Sequence, residues 1–451
     1  MAKPTAKRGT VDNDRDATTR RGAPATLGVA SQNPWLRWIA AVAYFPPVRP
    51  VPSLGHGLPT GDRWYLLVAA SRIFWLKAIV ISLFCVGLVL SSHLWVGPRV
   101  YPAAPLFDLL PSSAHSVDLA MFIGLFALAP AILLAPQPQK FLVGFLALIA
   151  IFCLLDQTRW QPWVYQYSFL LGALAFYSWD SNDFRGRRRA LNIARLIVAM
   201  TYIFSGLQKA NLNFIQNDFL WFVEPITNIV PAARGPLGFV GMIAPLIQVG
   251  FGIGLLTTRY RRIALALAVS MHLLILAMFG PFGHNWNNVV WPWTAAMAAF
   301  DLLLFTTKEQ FAWREVFVPN GQPYHTLVLV LFAILPLLSF LNLWDSYLSS
   351  ALYSGNLNEA TIYATDRGSA SLPIAMRAFF VHTSPDTNVL NIQRWAIDEL
   401  NVTPYPELRV YRKIARSLCD HSPYQQDFVL LVHEQRMFFS RPETGYRCPQ
   451  L

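Results

Sequence analysis

The chain has 451 residues, of which 54% are hydrophobic and 14% are charged, and its formal net charge is +11. Soluble domains carry about 25% charged residues, so this chain has too few charges to cover a globular surface. An aromatic share of 14% excludes a disordered chain, because disordered segments are poor in aromatic residues. Together with a mean hydropathy of +0.37, these values predict a membrane protein that crosses the bilayer several times.

Nine apolar stretches are long enough, or nearly so, to cross a bilayer core, which takes about 20 helical residues. They are Ile73–Trp95, Val117–Leu134, Phe141–Leu155, Trp163–Trp179, Ala190–Lys209, Leu237–Leu256, Ile263–Phe279, Val289–Phe305 and Thr326–Trp344. Their continuous apolar composition lacks the alternation of a barrel strand, so each is predicted to be a helix. The third and fourth stretches are short, and a tilted or re-entrant course remains open for both.

Composition divides the chain into four regions. The polar residues 1–34 are expected to form a disordered cytoplasmic tail, and residues 35–69 an interfacial, Pro-rich segment. Residues 70–344 form the predicted transmembrane helical domain, and the hydrophilic residues 345–451 a small α+β extracytoplasmic domain. The predicted fold class is therefore an all-α polytopic membrane protein of about nine transmembrane helices with that C-terminal domain.

Within residues 345–451 the periodicity is mixed. Asp386 is expected to cap a helix that runs to Leu400, because Asp is a common N-cap residue. The segments Leu408–Ile414 and Phe428–His433 have strand character, since both are rich in residues that favour strands.

Lys and Arg in the connections predict the orientation, because cytoplasmic connections are enriched in positive charge. With the N-terminus inside, the inner connections contain ten Lys and Arg residues and the outer ones four. The positive net charge is therefore interpreted as a signal for orientation in a plasma membrane, which is expected to be a bacterial inner membrane. No nucleic-acid partner is expected. With nine spans the C-terminus is extracytoplasmic, where Cys419 and Cys448 can form a disulfide; two free thiols are the alternative.

The fifth span ends in polar residues that share one face. At 100° per residue, Tyr202, Ser205 and Lys209 fall on a single stripe, and the nearby Gly206 allows another helix to approach closely. A partly desolvated lysine has a lowered pKa and can serve as a base, so Lys209 is the candidate catalytic residue. The alternative is a lysine at the end of a span that extends to the outer interface.

Two polar connections, after the third and seventh spans, are predicted to reach the same outer side and to form a pocket there with the fifth span. Its predicted wall residues are Tyr202, Ser205, Gln208, Asn211, Asp156, Gln157, Arg159, Trp163, His272, His284 and Asn287. The alternative is an aromatic belt with local ion pairs, and for His272 a packing role within its span. Gln248 and Asp301 are weaker candidates. The sequence has no metal-binding motif, so no metal is predicted.

The segment Gly206-Leu-Gln-Lys209, at the outer end of the fifth span, resembles the horizontally transferred transmembrane (HTTM) family, which includes the membrane part of vitamin K-dependent gamma-glutamyl carboxylase and is distantly similar to DoxX-like proteins. The resemblance covers about residues 70–310. It implies that Lys209 is a base acting on a reduced quinone. Where the carboxylase has Asn-Asn-His, this chain has Gln161-Pro162-Trp163, and its C-terminal region is shorter. The resemblance therefore supports the fold and the pocket more than glutamate carboxylation.

Two functions remain open from the sequence. The first is a membrane-embedded enzyme in which Lys209 removes a proton from an apolar substrate such as a quinol or lipid, with Trp160, Trp163 and Trp286 excluding water. The alternative is a non-enzymatic scaffold or lipid- or quinone-binding protein that acts with a protein partner through residues 345–451. A transporter is less favoured, since no inverted repeat is evident.

Overall fold

The computed structural model describes the backbone of residues 60–451 except 110–113, 178, 180–182, 307–310, 435–442 and 451. The side chains of 60–70 and 449 are not described. The predicted tail 1–34 and most of the predicted interfacial segment 35–69 therefore lie outside the described residues.

Every predicted span contains helix. The helices are α1 (Thr60–Leu90), α2 (His115–Leu134), α3 (Gln139–Leu155), α4 (Pro162–Ala175), α5 (Phe184–Gln208), α6 (Arg234–Leu255), α7 (Arg261–Phe279), α8 (Val290–Phe305) and the composite α9 (Pro323–Leu341). Proline at the first position begins α4 and α9, where its missing N–H costs no helical hydrogen bond. A π-helical turn, Val330–Ile334, interrupts α9.

Among the described residues, six helices are long and apolar enough to cross a membrane: α1 from Ser71, α2, α5, α6 with the turn before it, α7 and α9. Helices α3 and α8 are apolar but shorter, and α4 has 14 residues. The structure thus supports a multi-pass membrane protein, whereas the predicted count of nine spans is not confirmed.

Helix α5 lies at the centre, and most of its residues are buried. It packs on α6 at short range because both helices have glycine at the contact. A Cβ atom at Gly206 would lie 2.7 Å from the Pro245 carbonyl oxygen, and one at Gly252 would lie 2.9 Å from an Ile203 side-chain carbon. This close approach fixes the end of α5 that carries Lys209.

The C-terminal region contains a five-stranded antiparallel sheet in the order β2-β3-β1-β4-β5. Its strands are β1 (Glu359–Ala364), β2 (Val381–Ser384), β3 (Thr387–Asn391), β4 (Phe428–His433) and β5 (Glu443–Arg447), and its main helices are α10 (Ile392–Leu400) and α11 (Leu408–Asp420). Ile362 of β1 pairs with Leu390 of β3 and Leu430 of β4, and all three are buried. The predicted α+β content is therefore confirmed.

The strand predicted at Phe428–His433 is confirmed as β4, but the one at Leu408–Ile414 is wrong. That segment begins helix α11, because Val410, Ile414 and Leu418 recur every four residues and form one buried face. Asp386 does not cap α10. It lies between β2 and β3 with φ of 63°, whereas the Asn391 side chain accepts the capping bond from the backbone N–H of Arg394.

Polar contacts fix the C-terminal domain to the connections between the apolar helices. Lys413 of α11 binds Asp108 at 2.6 Å, and Arg409 Nε donates to Gln157 Oε1 at 2.7 Å. The structure contains the disulfide Cys419–Cys448, which ties α11 to the residues after β5.

Candidate functional site

A cavity of about 860 Å³ lies beside the C-terminal end of α5. Helices α6, α7 and α8 supply one part of its wall, and the chain between α5 and α6 contributes residues from Phe214 to Ile226. The C-terminal domain supplies further wall residues, among them Tyr353 and Tyr411. Most of the wall is aromatic or aliphatic, which suits an apolar ligand with few polar groups.

Lys209 lies in the cavity wall directly after the last residue of α5. Its Nζ donates two hydrogen bonds to one residue, at 2.5 Å to Ser205 Oγ and at 3.2 Å to the Ser205 carbonyl oxygen. The carboxylate of Asp218, also in the wall, interacts electrostatically with the amine. A neutral amine has two hydrogens, so these bonds would leave its lone pair free to accept a proton; a charged amine would have a third donor.

A second polar group in the wall comes from three helices. The Tyr202 hydroxyl of α5 donates to Asp301 Oδ2 of α8 at 2.7 Å, and it lies 2.7 Å from His272 Nε2 of α7. All three residues are nearly or fully buried, and Tyr202 and His272 line the cavity. Asp301 is only a weak candidate from the sequence, whereas the fold joins it to Tyr202 by a hydrogen bond and places its Oδ2 atom 3.9 Å from His272 Nε2.

The structure brings five predicted site residues into one wall: Tyr202, Ser205, Lys209, His272 and His284. His284 stacks on Trp221 with a centroid distance of 4.3 Å, and its Nε2 lies 2.8 Å from the Trp221 carbonyl oxygen. Asn287 lies behind the wall, where its side-chain amide donates to the Tyr353 hydroxyl at 2.8 Å.

Gln208 and Asn211 lie outside the cavity wall, although they flank Lys209. Gln208 is buried and joins Ser339 and Asn356 by side-chain hydrogen bonds of 2.8 and 2.7 Å. Asn211 donates to the Ser354 carbonyl oxygen at 2.7 Å. Both residues therefore connect the end of α5 to the chain that leads into the C-terminal domain.

Asp156, Gln157, Arg159 and Trp163 form a separate buried cluster around the link between α3 and α4. Asp156 forms an ion pair of 2.5 Å with Arg99. Burial alone would raise the pKa of the Asp156 carboxyl, but the guanidinium groups of Arg99 and Arg159 hold it below its usual value. The polar density of this link thus comes from a structural ion-pair network.

Arg159 and Trp163 also have structural partners within this cluster. The Arg159 guanidinium donates to the carbonyl oxygens of Leu94 and Phe152 at 3.1 and 3.2 Å. Trp163 packs edge-on against Phe84, with a centroid distance of 5.5 Å. Neither residue contributes to the cavity wall.

The cavity wall also contains residues that the sequence did not predict. Trp221 follows α5, and Tyr353 precedes the C-terminal sheet with φ of 52°. A positive φ at a bulky residue is uncommon, but it is visible only in the structure. No residue pattern in the sequence indicates that the C-terminal domain covers the cavity.

Within the described residues, no group of three or more His, Cys, Asp or Glu side chains is placed to hold a metal ion. No protein-family model, curated protein or solved structure matches the chain. The resemblance to the HTTM family therefore remains a prediction from the sequence.

Proposed function

We propose that the chain is a membrane-embedded enzyme that binds an apolar substrate with an ionisable hydroxyl, such as a quinol or a lipid, and that Lys209 removes a proton from it. The main support for this proposal is the position of Lys209 in the wall of a cavity that is otherwise mostly apolar. A charged amine is costly in apolar surroundings, which favours the proton-accepting form. The sequence resemblance to the HTTM family supports the same role.

The size and surroundings of the cavity favour such a substrate. About 860 Å³ lies within the usual range of small-molecule sites. Trp221, Trp286 and Trp293 line it and supply flat surfaces for a ring or an isoprenoid chain. Water excluded by these side chains would otherwise compete for the proton.

Identification of copurifying small molecules tests ligand binding. Ala244→Trp places a large ring in the cavity, since Ala244 lines it, whereas Leu246→Trp on the same helix adds the ring at a residue that is 70% exposed. Mass spectrometry is expected to find an apolar hydroxylated molecule with the unchanged chain and with Leu246→Trp, but not with Ala244→Trp. Equal recovery from all three would contradict the proposed site.

Lys209→Met separates catalysis from binding once that molecule is known. We expect the variant to retain the ligand but lose turnover, because the base is gone while the apolar wall remains. Lys140→Met, at an exposed lysine in the first turn of α3, is the matched control. Binding without turnover in the unchanged protein would favour the non-enzymatic alternative, a lipid- or quinone-binding protein with a partner.

We also propose that the N-terminus is cytoplasmic and that the C-terminal domain lies outside a bacterial inner membrane. The distribution of Lys and Arg supports this orientation. The Cys419–Cys448 disulfide also supports it, since such bonds persist in oxidising compartments. A reporter enzyme that is active only after export, fused after Leu451, is expected to be active; an inactive fusion of normal abundance would refute the orientation.

A further inference from the structure

The hydrogen bonds around Tyr202 determine where the His272 ring carries its proton. Tyr202 has one hydroxyl hydrogen, and it donates this hydrogen to Asp301 Oδ2. With Asp301 ionised, the Tyr202 oxygen accepts the 2.7 Å bond from His272, which places the imidazole hydrogen on Nε2. His272 Nδ1 then has a lone pair, and this buried atom has no hydrogen-bond partner within the described part of the chain.

We propose that His272 Nδ1 accepts a hydrogen bond from a hydroxyl of the cavity's ligand, and that Tyr202 and Asp301 relay the hydroxyl proton away from it. This inference rests on the proposed function, and it adds a second contact to the one at Lys209. His272 would be a second catalytic residue beside Lys209, since it touches the ligand. Tyr202 and Asp301 would be positioning residues that act through it.

The proton transfer balances within these three side chains. The ligand O–H bond breaks and a hydrogen–Nδ1 bond forms on His272, which leaves an oxyanion on the ligand. The Nε2 hydrogen of His272 passes to the Tyr202 oxygen, and the original Tyr202 hydroxyl hydrogen passes to Asp301 Oδ2. The ring and the phenol are neutral before and after the step, and the proton that the ligand lost is balanced by one gained at Asp301.

Burial gives this relay a physical basis. Asp301 is 0% exposed, and its second carboxylate oxygen has no hydrogen-bond partner among the described residues. A buried carboxylate with so few partners is costly, so uptake of a proton removes an unfavourable charge. The newly protonated Nδ1 can then donate a hydrogen bond to the ligand oxyanion.

The relay specifies the substrate class more narrowly than the cavity alone. An apolar molecule must present one ionisable hydroxyl to Lys209 and a second hydroxyl to His272 Nδ1. A quinone, ester or ketone without a hydroxyl would leave Nδ1 unpaired, and an unpaired buried polar atom costs affinity. The site is therefore expected to discriminate a hydroxylated ligand from its methyl ether.

The tautomer of His272 can be measured without a ligand by nitrogen-15 NMR of histidine-labelled protein in nanodiscs. The His272 signals are identified by their loss in His272→Gln, with His284→Gln as the matched control because His284 lines the same cavity. We expect a neutral ring with its proton on Nε2, and Tyr202→Phe is expected to change this signal while Tyr353→Phe is not. A proton on Nδ1, or no response to Tyr202→Phe, would overturn the relay.

Binding of a decyl-substituted benzohydroquinone and its dimethyl ether, followed by tryptophan fluorescence, tests the ligand contact. Each hydrogen bond to a buried group is worth about tenfold in affinity, so the ether, which lacks both hydroxyl hydrogens, is expected to bind at least about tenfold more weakly. Binding of the hydroquinone to His272→Phe, which removes the one acceptor at Nδ1, is expected to be about tenfold weaker. Equal binding of both probes to the unchanged protein would overturn the His272 contact while leaving the proposed cavity intact. Failure of both probes to bind would count against the proposed function. The relay would then still be tested by the His272 tautomer measured by NMR.

Discussion

The close packing of α5 on α6 makes Gly206→Ala the sharpest test of how Lys209 is held. The added Cβ would lie 2.7 Å from the Pro245 carbonyl oxygen, 2.8 Å from a Val249 methyl and 2.9 Å from the Val249 backbone nitrogen. Two of these atoms belong to the backbone, so the helices must separate to relieve the overlap. Overpacking of this kind typically costs about 1–3 kcal/mol.

A glycine-to-alanine substitution on the exposed face of α6 should stabilise the protein instead of destabilising it. A Cβ at Gly250 has no neighbour within 4 Å, and alanine favours a helix over glycine by about 1 kcal/mol. The assay compares apparent melting temperatures in one detergent, together with binding of the decyl-substituted benzohydroquinone. Gly206→Ala is expected to melt below the unchanged protein and to bind the probe more weakly, whereas Gly250→Ala should do neither. A Gly206→Ala variant as stable as Gly250→Ala would refute the packing argument.

Two further predictions concern the C-terminal domain. Cys448→Ser removes the bridge to Cys419 and is expected to destabilise the domain by about 2–4 kcal/mol, measured by limited proteolysis in denaturant; unchanged resistance would contradict this. Burial, together with the charge of Asp345, raises the pKa of Glu407 to about 7 from 4.5, so the folded domain binds more protons there than the unfolded chain. Stability should therefore fall as pH rises from about 4.5 to about 7. Glu407→Gln should flatten this dependence, and the exposed control Asp420→Asn should leave it unchanged.

The sequence could predict those parts of the fold that depend on local pattern. Long apolar runs indicate helices, and the residues of Phe428–His433, which favour strands, indicate a strand. The helical period also places Tyr202, Ser205 and Lys209 on one stripe, and the structure puts all three in one cavity wall. These features need only the geometry of a single element.

The remaining features depend on contacts between distant segments. Nothing local indicates that Asp301 meets Tyr202, because the two residues are 99 positions apart. The polar residues around Asp156 have the composition of a site, but Asp156 pairs with Arg99 and Arg159 pairs with Asp118. The strand prediction for Leu408–Ile414 is wrong because seven residues are too few to distinguish the period of a helix from that of a strand.

The most direct test of the proposed site is an electron cryo-microscopy map of the protein in nanodiscs with the decyl-substituted benzohydroquinone. The proposals predict density for its ring in the cavity, with one oxygen within hydrogen-bond distance of Lys209 Nζ and another within that distance of His272 Nδ1. The decyl chain of the probe should lie against the apolar wall formed by α6 and α7. A probe bound elsewhere, or a Lys209 amine turned away from the cavity toward solvent, would contradict the central claim.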